Sequence, residues 1–309
     1  MTDRGDGQVE VGRAQLHTKQ RGHGLPVLFI HGGGGSSELW GDCFERVADF
    51  AWAVAYDQRA FAKSGGTAGS GIARHGDDAA AILERLGAVP ATIVGHSFGA
   101  TVALDLAARY PDRISGMVLL EPPMDFRALG GAGMLGLTAG IQLRRLLRGK
   151  RAAALWFFRK VTTYRSKGTN AFDGLPTDLQ EVCLANAHPL IAMYKYSSDA
   201  SGRHLPAGGV GAIRCRVTCV IGTDSFPAFI RTTRAVATTI PGARLVEVPG
   251  ASHLLPSDAP EVVVEAVRAL VAARGGRPAE PLRASRTTTV STRPSRVARP
   301  NQPPIQEPR

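Results

Sequence analysis

The chain has 309 residues, of which 44% are hydrophobic and 20% charged, enough apolar material for one large core. No window approaches the roughly 18 uncharged apolar residues that a membrane-spanning helix needs. The N-terminus MTDRGDGQVEV carries Asp3, Arg4 and Asp6 and no apolar stretch, so no secretory signal is expected.

In chain order, QVEVGRAQLHTKQ (8–20) reads as an antiparallel edge hairpin. VLFIH (27–31) is a short apolar run of the kind that forms a strand buried on both faces. The glycine-rich loop His31-Gly32-Gly33-Gly34-Gly35 follows it, ahead of a segment with helical spacing over 38–49. A second strand, AWAVAYD (51–57), leads through DQRAFAKS to a helix over 75–86. ATIVG (91–95) then runs into Gly95-His96-Ser97-Phe98-Gly99 and a helix over 98–109. MVLLE (117–121) closes on Glu121 before Pro122-Pro123. The next ninety or so residues show no strand pattern, only helical stretches such as QLRRLLRGKRAAALWFFRKV; insertions of this length are often functional lids. Alternation resumes with VTCVIG (217–222), Thr223-Asp224-Ser225, a helix over 228–239, RLVEV (244–248), the loop GASH and a helix over 260–273. Strand–helix alternation of this kind predicts an α/β fold, a mainly parallel central sheet with helices on both faces. The expected division is a core of residues 1–121 and 214–273, a helical lid over 122–213, and a disordered basic tail over 274–309.

The formal charge of +11 belongs to two of these segments. Residues 126–172 hold ten Lys and Arg and no acid, the tail holds eight Arg against Glu280 and Glu307, and the rest of the chain has a balance of −5. The tail has no aromatic residue with which to stack bases, so no nucleic-acid partner is expected. Contact of the basic lid or tail with a membrane surface is the other partner class the charge suggests. The four cysteines (43, 183, 215, 219) have no metal-ligand spacing. Cys215 and Cys219, four apart in a strand-like run, lie roughly 13 Å apart, too far for a bridge. A reduced, cytoplasmic protein without a metal is expected.

Three features carry chemistry. Ser97 sits between glycines in a tight strand-to-helix turn, which strains its backbone and projects its hydroxyl above the sheet edge over a helix N-terminus. A serine hydroxyl needs a base. Among eight histidines, His253 follows the last strand, in VPGASHLLPSDAPE, and is the candidate; His31 and His96 read as loop supports. An oxyanion needs donors, and the backbone N–H groups of Gly33 and Phe98 are placed to supply them.

HGGGG, DQRAFAKS, GHSFG and GASH, in that order, resemble the landmarks of the α/β-hydrolase fold, in its soluble serine esterase and lactonase type, over roughly residues 8–273. The resemblance implies an acyl-enzyme mechanism on a carboxylic ester or lactone, with no cofactor. Two departures stand out. The family's D-x-R-G-x-G-x-S turn has Ala60 and Ala62 in place of both glycines. The usual acid position, G-x-x-D after the next-to-last strand, holds Ser225, with Asp224 one residue early. A rival is Glu121, since a carboxylate ending an apolar strand is costly without a partner, and lactonases of the zearalenone type resemble that arrangement. Glu121 is favoured and Asp224 is the alternative. In the inserted segment Trp156, Phe157 and Tyr194 are candidate substrate contacts, with Phe158, Tyr164, Phe172 and Tyr196 nearby; they suit a medium-sized hydrophobic substrate. A carbon–carbon bond hydrolase and a non-catalytic ligand-binding protein on the same scaffold are the alternatives.

Overall fold

A computed structural model of the chain describes residues 5–123, 132–193 and 209–274. The hairpin β1 (Gly7–Val11) and β2 (Ala14–Arg21) opens the sheet. It is followed by β3 (Pro26–Ile30), α1 (Gly41–Ala48), β4 (Trp52–Tyr56), α2 (Ile72–Arg85), β5 (Ala91–His96), α3 (Phe98–Arg109) and β6 (Ile114–Leu120). Three helices come next, α4 (Ala132–Val161), α5 (Thr177–Ala185) and α6 (Ala187–Met193). The chain then returns through β7 (Arg216–Gly222), α7 (Pro227–Thr239), β8 (Arg244–Val248), α8 (Leu255–Asp258) and α9 (Pro260–Arg274).

The eight strands form one sheet in the order β1-β2-β4-β3-β5-β6-β7-β8. Pairing is antiparallel for β1 with β2 and β2 with β4, and parallel for every pair beyond. The continuous apolar runs of the sequence are explained by burial on both faces. Along β3, Leu28 and Ile30 enter one core cluster with α2 and α3, while Val27 and Phe29 enter the opposite one with α1 and α9. β6 alternates in the same way, Met117 and Leu119 against Val118 and Leu120. Only the outer strand β8 is largely exposed. A third apolar cluster joins the helices between β6 and β7 to Phe61, Phe229 and Leu254 of the sheet domain.

Candidate active site

The chain leaves β3 toward β4 on one side, whereas β5 lies on the other. That reversal of direction opens a crevice at the carboxyl ends of β3 and β5, where α/β sheets bind ligands. Because β3 to β8 run parallel, the segments after β3, β5, β6, β7 and β8 all emerge at this edge. They carry Gly33, Ser97, Glu121, Asp224 and His253 respectively.

Ser97 has φ 51° and ψ −121°, a left-handed conformation that costs a non-glycine residue on the order of 1–3 kcal/mol. The neighbouring glycines make the turn sterically feasible. A Cβ on Gly95 would stand 2.6 Å from the Ala100 Cα, and one on Gly99 would run into the Ile30 and His31 carbonyls of the β3 end. The turn is tied across to β6, since the Ser97 N–H donates to the Leu120 carbonyl at 2.8 Å. Phe98 opens α3, so its N–H is one of the helix's unpaired donors. Neither that N–H nor the one of Gly33 has a hydrogen-bond partner among the described residues.

His253 is buried and held on three sides. Its Nδ1 lies 2.5 Å from Glu121 Oε2, its ring stacks on Phe229 with centroids 4.0 Å apart, and its carbonyl accepts from His96 Nε2 at 2.8 Å. Glu121 is fully buried and, like Ser97, left-handed, at φ 49°. Its Oε1 accepts the Gly222 N–H at 2.8 Å and its Oε2 the Ser225 hydroxyl at 2.6 Å. Burial pushes the Glu121 carboxyl above and the His253 ring below their ordinary ranges. The Ser225 and Gly222 donors pull the carboxyl back toward its charged form.

Asp224, one residue away from Ser225, is turned elsewhere. Its carboxylate accepts the Ser166 N–H at 2.7 Å and the Ser166 hydroxyl at 2.5 Å, and its carbonyl accepts the Arg165 N–H at 3.1 Å. It anchors the segment after α4 and makes no contact with His253 among the described residues. The side chain at the customary acid position, Ser225, instead serves Glu121.

Ser97 and His253 line one cleft together with Gly33, His96, Leu39, Phe158 and Phe172. Phe157 is part of the same wall, but Trp156 is not. Successive helix residues point about 100° apart, and Trp156 instead covers Gly140 on the outer side of α4, which corrects its expected role as a substrate contact. Tyr194 and Tyr196 lie outside the described residues, as does the tail beyond Arg274. Among the described residues lining the cleft there is no Lys, Arg, Asp or Glu.

Two features escaped the sequence. The first is Asn186, between α5 and α6, which is buried. Its Nδ2 donates to the Gly34 carbonyl at 3.1 Å and the Gly35 carbonyl at 2.8 Å, and its Oδ1 accepts the Ala62 N–H at 2.8 Å. One amide thus ties the inserted helices to the loop that carries Gly33 and to the loop after β4. An Asn between two helical stretches reads in a sequence only as a turn. The second is the backbone of that loop: Ala60 and Ala62 have φ 67° and 45°, the left-handed geometry glycine adopts freely. Asp57 holds it there, accepting the Ser37 N–H at 2.7 Å and the Lys63 N–H at 3.1 Å. His31 and His96 are loop supports: His31 Nε2 accepts the Gln58 N–H at 2.9 Å, and His96 donates to His253 as above.

Residues 26–260 match the family model described as alpha/beta hydrolase fold. Over 274 residues the chain is 25% identical to the 2-(acetamidomethylene)succinate hydrolase of Mesorhizobium japonicum, covering 84% of this chain and 92% of that one. Several other curated relatives match over less than half their length, 42–44%. Among solved structures, a thermophilic esterase from Thermogutta terrifontis superposes with TM-score 0.68 and 23% identity, over 85% of this chain and 96% of that chain. The enol-lactonase from Burkholderia xenovorans LB400 does so with TM-score 0.67 and 18% identity, over 86% and 99%. At these identities the two structures speak for the fold alone.

Proposed function

The chain belongs to the α/β-hydrolase fold family, and on that premise we propose that it is a serine hydrolase acting on a carboxylic ester or lactone of a medium-sized hydrophobic substrate. Ser97 is the nucleophile, His253 the base and Glu121 the acid that orients it. The observation that carries this reading is the 2.5 Å contact between Glu121 Oε2 and His253 Nδ1, with His253 and Ser97 on the wall of one cleft.

In this mechanism Glu121 keeps the His253 proton on Nδ1, leaving Nε2 free to take a proton. Ser97 Oγ attacks the carbonyl carbon as its proton passes to Nε2, and the oxyanion is held by the N–H groups of Gly33 and Phe98. Collapse expels the alcohol, which takes the proton from His253 and leaves an acyl-Ser97 ester. Water, deprotonated by the same nitrogen, then releases the acid and restores Ser97. In a lactone the departing alcohol stays attached to the acyl group.

Substrate class follows from the cleft's lining. Phe157, Phe158, Val161, Phe172, Leu175 and Leu254 favour an apolar group, and with no Lys or Arg among the described lining residues a carboxylate on the substrate would have no permanent cation to pair with there. The helices α4 to α6 act as the lid that shapes this wall.

Labelling with a fluorophosphonate probe tests the assignment. Reaction at Ser97 is expected, lost in Ser97→Ala and strongly slowed in His253→Ala. Absence of labelling in the folded wild-type protein would refute the hydrolase reading and favour a ligand-binding protein on this scaffold. Activity against a panel of esters limited to short acetyl groups would refute the substrate class.

A further inference from the structure

Helix α4 is two helical stretches that meet at Gly149, where φ is 84° and ψ 174°. The stretches fold back on each other: Trp156 covers the Cα of Gly140, and the Arg144 guanidinium lies 4.2 Å from the centre of the Trp156 ring. Leu143 and Leu147 from the first stretch and Ala152, Leu155 and Trp156 from the second line an open groove. The opposite side of the second stretch presents Phe157, Phe158 and Val161 to the catalytic cleft. The groove is therefore the outer face of the same helix that walls the cleft.

At the bend the leucines are bare. Leu143, Leu146 and Leu147 are 54%, 81% and 70% exposed. The other exposed large hydrophobic residues among those described, Val89 and Leu245, are less exposed, at 43% and 38%, and lie far from this group in sequence and from each other. Spacing of i, i+3 and i+4 is what turns a helix face toward a core, yet this face meets none among the described residues. Exposed cations surround it. Arg151 pairs with Glu181 and Arg159 with Asp173, but Arg145, Arg148 and Lys150 have no acidic partner among the described residues. The sequence from 126 to 172 contains no acid.

We propose that the bend of α4 docks on the surface of an anionic lipid bilayer. Leu143, Leu146 and Leu147 enter the boundary between headgroups and acyl chains, while Arg145, Arg148 and Lys150 reach the lipid phosphates. A second copy of the chain fits less well. A closed twofold contact sets the same cations against each other, and Asp173 and Glu181 are already engaged by their own cations. Docking in this way brings the helix that walls the catalytic cleft to the lipid surface. The proposal is independent of the chemistry at Ser97.

The test is co-sedimentation of the full-length protein with vesicles of phosphatidylcholine alone and of phosphatidylcholine with phosphatidylserine, at low and high salt. Partition is expected onto the phosphatidylserine vesicles and should weaken steeply with salt. Arg145→Gln with Arg148→Gln should lower it about thirtyfold, at about fivefold per cation. Leu146→Gln with Leu147→Gln should also lower it, at unchanged net charge. Both double variants should hydrolyse a soluble ester at the wild-type rate. Equal partition of wild type and both variants would overturn the proposal, because the Arg-rich sequence beyond residue 274, present in all three, would then account for the binding. Absence of binding to either vesicle, or indifference to phosphatidylserine, would overturn it as well. A wild-type dimer that the leucine variants dissociate without lipid would identify a second copy as the occupant and overturn it too.

Discussion

Glu121→Gln separates the two candidate acids. The glutamate accepts at both oxygens, Oε1 from Gly222 N–H at 2.8 Å and Oε2 from Ser225 Oγ at 2.6 Å and His253 Nδ1 at 2.5 Å. A glutamine fills the same volume but accepts at only one oxygen. With that oxygen kept by the Gly222 N–H, the amide NH₂ faces His253 and donates to Nδ1, which drives the ring proton to Nε2. That is the nitrogen which must receive the Ser97 proton. A triad locked in the wrong tautomer loses about 10⁴ in kcat, equivalent to about 5 kcal/mol of transition-state stabilisation. KM should hold, because Glu121 is buried behind His253 and is not among the residues lining the cleft. Asp224→Asn removes charge from a group bonded to Ser166 and should change kcat by less than about tenfold, the scale of one neutral hydrogen bond. Steady-state hydrolysis of a chromogenic butyrate ester, with thermal unfolding of each variant as the check on folding, gives the comparison. Near-wild-type kcat in Glu121→Gln, or collapse in Asp224→Asn alone, would refute the argument.

Three further outcomes are expected. Ala60→Gly and Ala62→Gly should each raise stability by up to about 1 kcal/mol in urea unfolding, because relief of about 1–2 kcal/mol of left-handed strain exceeds the extra backbone entropy of glycine; destabilisation by both would show that the loop is unstrained. Asn186→Ala strips the acceptor from the Ala62 N–H and a donor from each of the Gly34 and Gly35 carbonyls, so it should cost about 2–4 kcal/mol of stability and lower kcat more than it raises KM. An unchanged kcat in a folded Asn186→Ala protein would show that the glycine loop keeps its shape without the tie. Burial lowers the rings of His75 and His96 from 6.5 to about 3 and lowers His253 as well, so each stays neutral in the fold while the unfolded chain takes up a proton below its ordinary value. On acidification below about pH 7 stability should therefore fall by up to about 1.4 kcal/mol per pH unit for each histidine, less the opposite contribution of the Glu121 carboxyl, which burial raises. A urea midpoint that stays flat between about pH 7 and pH 5 would contradict that linkage.

How much of this was legible in the sequence depends on the range over which each feature is encoded. Strand and helix are written in runs of five to fifteen residues, so the alternating apolar pattern exposed the parallel sheet, and the context of Ser97, strand before and helix after, marked the turn. Position along the chain singled out His253. Other features rest on contacts between residues far apart. Asp224 and Ser225 are neighbours, yet their side chains diverge: one is taken by Ser166, 58 positions earlier, the other by Glu121, 104 positions earlier. A carboxylate closing an apolar strand marked Glu121 as the favoured acid, but the turn there, with φ 49°, which aims it across the end of β7 at His253, is not written in its neighbours. Trp156 and Phe157 are equal in the sequence as aromatic helix residues; the packing of α4 sends one outward and the other into the cleft. Asn186 gains its role because the glycine loop, about 150 residues earlier, presents two carbonyls to its amide. Local periodicity specifies the elements, because backbone hydrogen bonding and side-chain alternation are short-range. Partnership among buried polar groups was decided by the assembled tertiary structure, since each must find whatever donor or acceptor the fold brings within about 3 Å.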